Sequence, residues 1–160
     1  MTFAELNQFP EGEIAPRLEE CCGSASWVHQ MTAARPFESR ASLEAQASET
    51  WWRLEEADWL EAFSKHPKIG EKGKVSPWSA QEQSGMDDAA SQVATRLADL
   101  NQNYLEKFGY IFIVCATGKS AEEMLNLLES RFPNAPADEL RIAAAEQNKI
   151  TILRLRKLLS

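Results

Sequence analysis

The sequence predicts an all-α fold, a helical bundle formed as a single domain over residues 1–160 with one long loop between helices, and three observations carry that expectation. Apolar residues recur at alternating three and four spacing, most clearly at Ala90, Val93, Leu97, Leu100, Tyr104 and Phe108. Helix start and stop signals punctuate the chain at short intervals. Only one stretch, Tyr110 to Ala116, reads as β, and one strand has no partner.

The elements follow in order. Thr2 and Glu5 fit a capping box opening a short helix through Phe3, Leu6 and Gln8, which Pro10 and Gly12 interrupt. A second helix is expected from about Glu13 to Cys22, ending at Gly23 and tolerating Pro16 only in its first turn. Ser24 or Ser26 starts a third, through Trp27, Val28 and Met31, stopping before Pro36. From Ser42 to about Lys65 the pattern is helical again, and Asp58 can re-cap its second half. Pro67, Gly70, Gly73 and Pro77 then resist regular helix and set the long loop. Ser79 or Asp87 begins the next helices, the second ending at Gly109. Tyr110–Ala116 is expected to be an extended buried segment, or a helix start, rather than part of a sheet. Ser120 and Glu123 form another capping box, for a helix with Met124, Leu127, Leu128 and Phe132 on its apolar face, stopped by Pro133. The last helix begins near Pro136 or Ala137 and runs close to the end, with Asp138 and Glu139 in its first turn and Lys157 in its last.

Composition narrows the function classes. At 160 residues and 44% apolar content the chain can bury a core without staples. Cys21, Cys22 and Cys115 are odd in number and lack Cys-x-x-Cys spacing, which fits free thiols in a reducing compartment. A net charge of −7 without a basic block disfavours nucleic acid. The longest apolar run, Tyr110–Ala116, is far below the ~20 residues of a membrane span. The N-terminus does not read as a secretory signal and the C-terminus lacks a Ser-Lys-Leu address, so a cytoplasmic protein is expected.

Few residues offer chemistry. His29 sits in an apolar helical context and no His-x-x-x-His spacing exists, so metal catalysis is not expected. Nucleophile elbow, phosphate loop and dinucleotide fingerprint are all missing. His66, at the head of the long loop, faces a carboxylate–amide pair, Glu82 and Gln83, at its end, the makings of a proton-transfer pocket. The plainer alternative makes His66 a helix terminator complementing the dipole, and Ser79–Gln83 an N-cap with its first turn. Arg154 borders the apolar stripe of the last helix, and its partner is either an acid such as Glu146 or a bound anion. Cys115, inside the apolar run, reads as core rather than nucleophile.

Five ordered blocks carry a likeness: His-Pro-Lys-Ile-Gly at 66–70, Ser-Ala-Gln-Glu-Gln at 79–83, Phe-Gly-Tyr-Ile-Phe-Ile-Val-Cys-Ala at 108–116, Gly-Lys-Ser-Ala at 118–121 and Lys-Ile-Thr-Ile-Leu-Arg-Leu at 149–155. Together they resemble the OHCU decarboxylases, which act on 2-oxo-4-hydroxy-4-carboxy-5-ureidoimidazoline on the route from urate to allantoin. The resemblance implies an all-helical domain, usually a homodimer, that releases CO2 from a small-molecule substrate without cofactor or metal and yields (S)-allantoin. It implies His66 as catalytic acid, Pro67 shaping its approach, and Glu82 pairing with the histidine or substrate. Ser79, Ala80, Gln81 and Gln83 would bind the substrate, Phe112, Ile113, Val114, Cys115 and Ala116 would line the pocket with backbone groups, and Arg154 would hold a ligand oxygen. The family commonly has Arg where this chain has Lys68, and the loop before Ser79 is short. Two other readings compete: a cofactor-free hydrolase or isomerase of another ureide ring, and a helical module that binds a protein partner.

Overall fold

The computed structural model describes residues 1–67 and 88–160. Their elements are α1 (Phe3–Gln8), α2 (Glu11–Cys21), α3 (Ala25–Ala33), α4 (Arg40–Arg53), α5 (Glu56–Ser64), α6 (Asp88–Phe108), α7 (Ala121–Arg131) and α8 (Pro136–Leu158), with no strand among the described residues. The fold is all-α. The chain divides into two compact units, Met1–Lys65 with Ala144–Ser160, and His66–Ala143.

In the first unit the Thr2–Glu5 capping box forms as the sequence predicts, and Leu6 is buried beneath it. α2 departs from expectation. It starts at Glu11, runs through Gly12, and carries Pro16 beyond its first turn. An interior proline costs a helix about 3 kcal/mol, but Ile14, Leu18 and Cys21 on the same helix are buried, and each large apolar side chain contributes about 1.5–3 kcal/mol. Burial wins. Ser24 is the cap of α3, its hydroxyl accepting from the Trp27 amide at 3.2 Å. The helical stretch expected from Ser42 to about Lys65, with a second half that Asp58 can re-cap, is two helices. Ser39 caps α4, Leu54 is extended, and Glu55 begins α5, with Asp58 accepting the Glu55 amide proton at 3.2 Å from inside the first turn.

Three tryptophans tie this unit together. A buried indole N–H needs an acceptor, and Trp27, Trp51 and Trp59 donate to the carbonyls of Ala47, Ala144 and Trp51 at 3.1, 2.9 and 2.9 Å. Trp51 lies 5.9 Å from Trp59 and 6.4 Å from Phe63, centroid to centroid, so α4 and α5 share one aromatic core. The later part of α8 buries Gln147, Thr151 and Leu155 at successive four-residue steps, and the Gln147 amide donates to Thr151 Oγ1 at 3.1 Å.

In the second unit α6 buries Leu97, Leu100 and Tyr104. Gly109 leaves it with φ of +84°, the left-handed turn that glycine makes without strain. Tyr110–Ala116 takes neither helix nor strand structure, and Phe112, Ile113, Val114 and Cys115 are all buried. Ser120 caps α7 by accepting from the Glu123 amide at 3.1 Å; the Glu123 carboxylate takes the Ser120 hydroxyl instead of closing a box on the backbone. α6 and α7 pack around Phe112 and Val114. The buried face of α7 is Met124, Leu125, Leu128 and Arg131, with Leu127 and Phe132 only partly covered.

Candidate active site

α5 delivers the chain to His66. Trp59, Ala62 and Phe63 bury one face of that short helix, which fixes its register. Lys65 closes it in right-handed conformation (φ −84°, ψ −10°), donating its amide to Ala62 O at 3.2 Å. Gly23 lies against this C-cap: a Cβ there would stand 2.4 Å from Lys65 Cγ and 2.9 Å from Lys65 Cβ. Gly23 therefore serves close approach rather than the left-handed helix end that its position after α2 suggests. His66 is half-buried and Pro67 exposed. A following proline disfavours helical backbone at residue 66, so the histidine leaves the helix axis.

Of the other residues singled out in the sequence, Ser79, Ala80, Gln81, Glu82 and Gln83 lie outside the described residues. Phe112–Cys115 are buried in the second unit and Ala116 is exposed. The Ile113 carbonyl accepts from Arg131 Nη1 at 2.8 Å, and the Cys115 carbonyl from Lys119 Nζ at 2.8 Å. Among the described residues no group accepts from the amide N–H of Phe112, Ile113 or Val114.

Arg154 belongs to the first unit. It is exposed, and Nη1 donates to the Glu20 carbonyl at 3.1 Å; Glu146 pairs with Lys149 at 2.6 Å instead. Beside it Cys21 is buried, and burial pushes its thiol up to about 12, the Arg154 charge being the strongest opposing influence. Burial likewise raises Cys22 to about 11. His29, read from the sequence as lying in apolar surroundings, is exposed on α3, whose buried face is Trp27, Val28, Met31 and Thr32. No group of three or more His, Cys, Asp and Glu side chains among the described residues is arranged to hold a metal ion. No helix among them is long and apolar enough to cross a membrane.

The sequence reading missed a buried ion pair. Glu139, fully buried, accepts on Oε2 from Arg131 Nε at 2.9 Å, Arg131 Nη2 at 2.6 Å and the Tyr104 hydroxyl at 2.5 Å, and on Oε1 from Asn134 Nδ2 at 3.1 Å. The Arg131 guanidinium also lies 4.4 Å from the centroid of Phe112. Burial, then the hydrogen bond to Glu139, pushes the Tyr104 hydroxyl far above the usual tyrosine range. One signal was present: Arg131 stands three residues after Leu128, on the apolar stripe of its helix. Glu139 in a first turn looks like ordinary dipole complementation.

The chain matches the profile of the OHCU decarboxylase family over residues 7–156. It is 40% identical over 148 residues to the uric acid degradation bifunctional protein TTL of Arabidopsis thaliana, covering 88% of this chain and 45% of that one. It is 27% identical to the 2-oxo-4-hydroxy-4-carboxy-5-ureidoimidazoline decarboxylase of Halalkalicoccus jeotgali, covering 99% and 92%. The crystal structure of an OHCU decarboxylase in the presence of (S)-allantoin superposes with a TM-score of 0.76 at 38% identity, over 88% of this chain and 95% of that chain. The chain spans less than half the length of the bifunctional relatives it matches. With an all-α fold and a likeness running nearly end to end, this chain belongs to the OHCU decarboxylase family.

Proposed function

We propose that the chain is a carboxy-lyase that converts 2-oxo-4-hydroxy-4-carboxy-5-ureidoimidazoline to (S)-allantoin and CO2 in urate degradation, without cofactor or metal. The observation that carries the reading is the family match across residues 7–156, together with 38% identity to an OHCU decarboxylase whose crystal structure was determined in the presence of (S)-allantoin. That match runs through both compact units, which supports one functional domain over residues 1–160.

In this reading His66 is the proton donor. Breaking the bond to the carboxylate leaves its electron pair on a ring carbon, where neighbouring carbonyl or imine groups delocalise it, and CO2 departs. The protein then has to hold the substrate and protonate one face of the planar intermediate. An imidazole is a side chain suited to that transfer. Glu82 orients the imidazole or the substrate hydroxyl, and Pro67 shapes the approach. Ser79, Ala80, Gln81 and Gln83 bind ring and ureido polar atoms, Phe112–Ala116 offers backbone groups, and the Arg154 guanidinium holds a ligand oxygen. The amide donors of Phe112–Val114 that lack protein acceptors among the described residues fit that use. The reading extends to a homodimer in the cytoplasm; three buried free thiols suit a reducing compartment, and light scattering on the purified chain tests the assembly.

The decisive experiment is chiral analysis of allantoin formed from freshly generated substrate, with and without protein. The expected result is an excess of the S enantiomer with wild type and its loss with His66→Ala. Racemic product at the protein-free rate would overturn the assignment, and ring opening without CO2 release would favour the hydrolase reading instead.

A further inference from the structure

We propose that Arg131 is a positioning residue for the segment Phe112–Ala116, acting through the Ile113 carbonyl and held in place by Glu139. The inference rests on reading that segment as a wall of the substrate site. Because the segment has neither helical nor sheet structure, no ladder of regular hydrogen bonds dictates where its peptide groups sit. Side chains do that instead. Arg131 Nη1 holds the Ile113 carbonyl at 2.8 Å while its guanidinium lies 4.4 Å from the Phe112 ring, so a single side chain fixes two consecutive residues. Lys119 Nζ holds the Cys115 carbonyl at 2.8 Å, two residues further along.

Arg131 is itself held. Its Nε and Nη2 both reach Glu139 Oε2, at 2.9 and 2.6 Å, which leaves the third nitrogen aimed at the segment. Tyr104 and Asn134 hold the carboxylate in turn, at 2.5 and 3.1 Å. The chain of contacts runs from α6 and α8 through Arg131 to the backbone at Ile113. Stability alone does not call for it, since apolar side chains of similar volume commonly replace a buried ion pair without loss. A planar fork can bridge a carboxylate and a carbonyl at once; a lysine, with one nitrogen, cannot hold both in this geometry.

The test compares Arg131→Lys, the charge-free pair Arg131→Met with Glu139→Leu, and Tyr104→Phe, which loosens the same carboxylate but keeps the bond to Ile113. For the first two the expected result is a rise in KM of about tenfold, the factor equivalent to 1.4 kcal/mol of binding, with kcat largely kept. Tyr104→Phe should lower the melting temperature and raise KM by clearly less than either Arg131 variant. Turnover by wild type with an unchanged KM in either folded Arg131 variant would overturn the proposal alone, as would failure of both Arg131 variants to fold, which would make the pair purely structural. Absence of turnover by wild type would remove the assigned function, and this inference with it.

Discussion

Replacing Gly23 by alanine tests the packing that delivers His66. The new methyl carbon would sit 2.4 Å from Lys65 Cγ and 2.9 Å from Lys65 Cβ, both closer than carbon atoms tolerate. Those two carbons belong to the root of the lysine side chain, so rotating its far end gives no relief. Either the Cys22–Ser24 backbone or the end of α5 must shift by a good part of an ångström. Overpacking of this kind costs about 1–3 kcal/mol. At about 2–4 °C per kcal/mol for a chain of this size, melting should fall by about 2–12 °C. Lys65→Gly removes both offending atoms, so the double variant should recover most of the loss, with a coupling of about 0.5–3 kcal/mol in a double-mutant cycle. Thermal denaturation followed by circular dichroism measures the stability, and because Lys65 precedes His66, chiral turnover in the folded fraction should fall and recover in parallel. An unchanged melting temperature in Gly23→Ala, or a loss that Lys65→Gly does not relieve, would refute the reasoning.

Other outcomes follow from the same coordinates. His66→Ala, at a half-buried position just past a helix end, should melt close to wild type while losing about 10²–10⁴ in enantiospecific rate, the usual share of a positioned acid; retained (S)-allantoin excess would remove the role. Glu139→Leu alone leaves Arg131 charged and buried without its partner and should cost about 3–5 kcal/mol by urea denaturation. A milder cost than that of the Arg131→Met/Glu139→Leu pair would contradict the ion-pair account. Alkaline stability should decline from about pH 9. The native thiols of Cys21 and Cys22, raised from 9.0 to about 12 and about 11, keep protons that the unfolded chain releases. Their stabilisation is complete below pH 9 and is lost upward through pH 11–12, at about 1.4 kcal/mol per pH unit for each thiol. Cys21→Ala should flatten that slope, and an unaltered slope would sink the assignment. At neutral pH all three buried cysteines should resist a thiol reagent until denaturant is added.

Helix type and most caps were legible in the sequence because they rest on neighbours three or four residues apart. Thr2 with Glu5 and Ser24 each do what their spacing implies, and Ser120 caps its helix although its box with Glu123 does not close. Boundaries that depend on distant packing were not. Pro16 should have confined α2, yet the burial of Ile14, Leu18 and Cys21 carries the helix through it. The break at Leu54 has no glycine or proline to announce it. Tyr110–Ala116 forms no part of a sheet, as the want of a second strand in the sequence implies. Among the candidate residues, position along the chain singled out His66 and the family resemblance added the 112–116 run, but no local rule pairs Arg131 with Ile113, eighteen residues earlier. Contacts of that range are set by the tertiary fold, and so was the Glu20 carbonyl that takes Arg154 in place of an acid.

The first unit draws on both ends of the chain: residues 1–65 need 144–160, down to the indole of Trp51 resting on the Ala144 carbonyl. A nascent polypeptide therefore cannot close that hydrophobic interior before residues 144–160 have been made. Five helices emerge from the ribosome with apolar surface waiting, and only when residues 144–160 arrive can they be covered. Truncations within α8 should for that reason yield aggregates rather than a smaller soluble fragment.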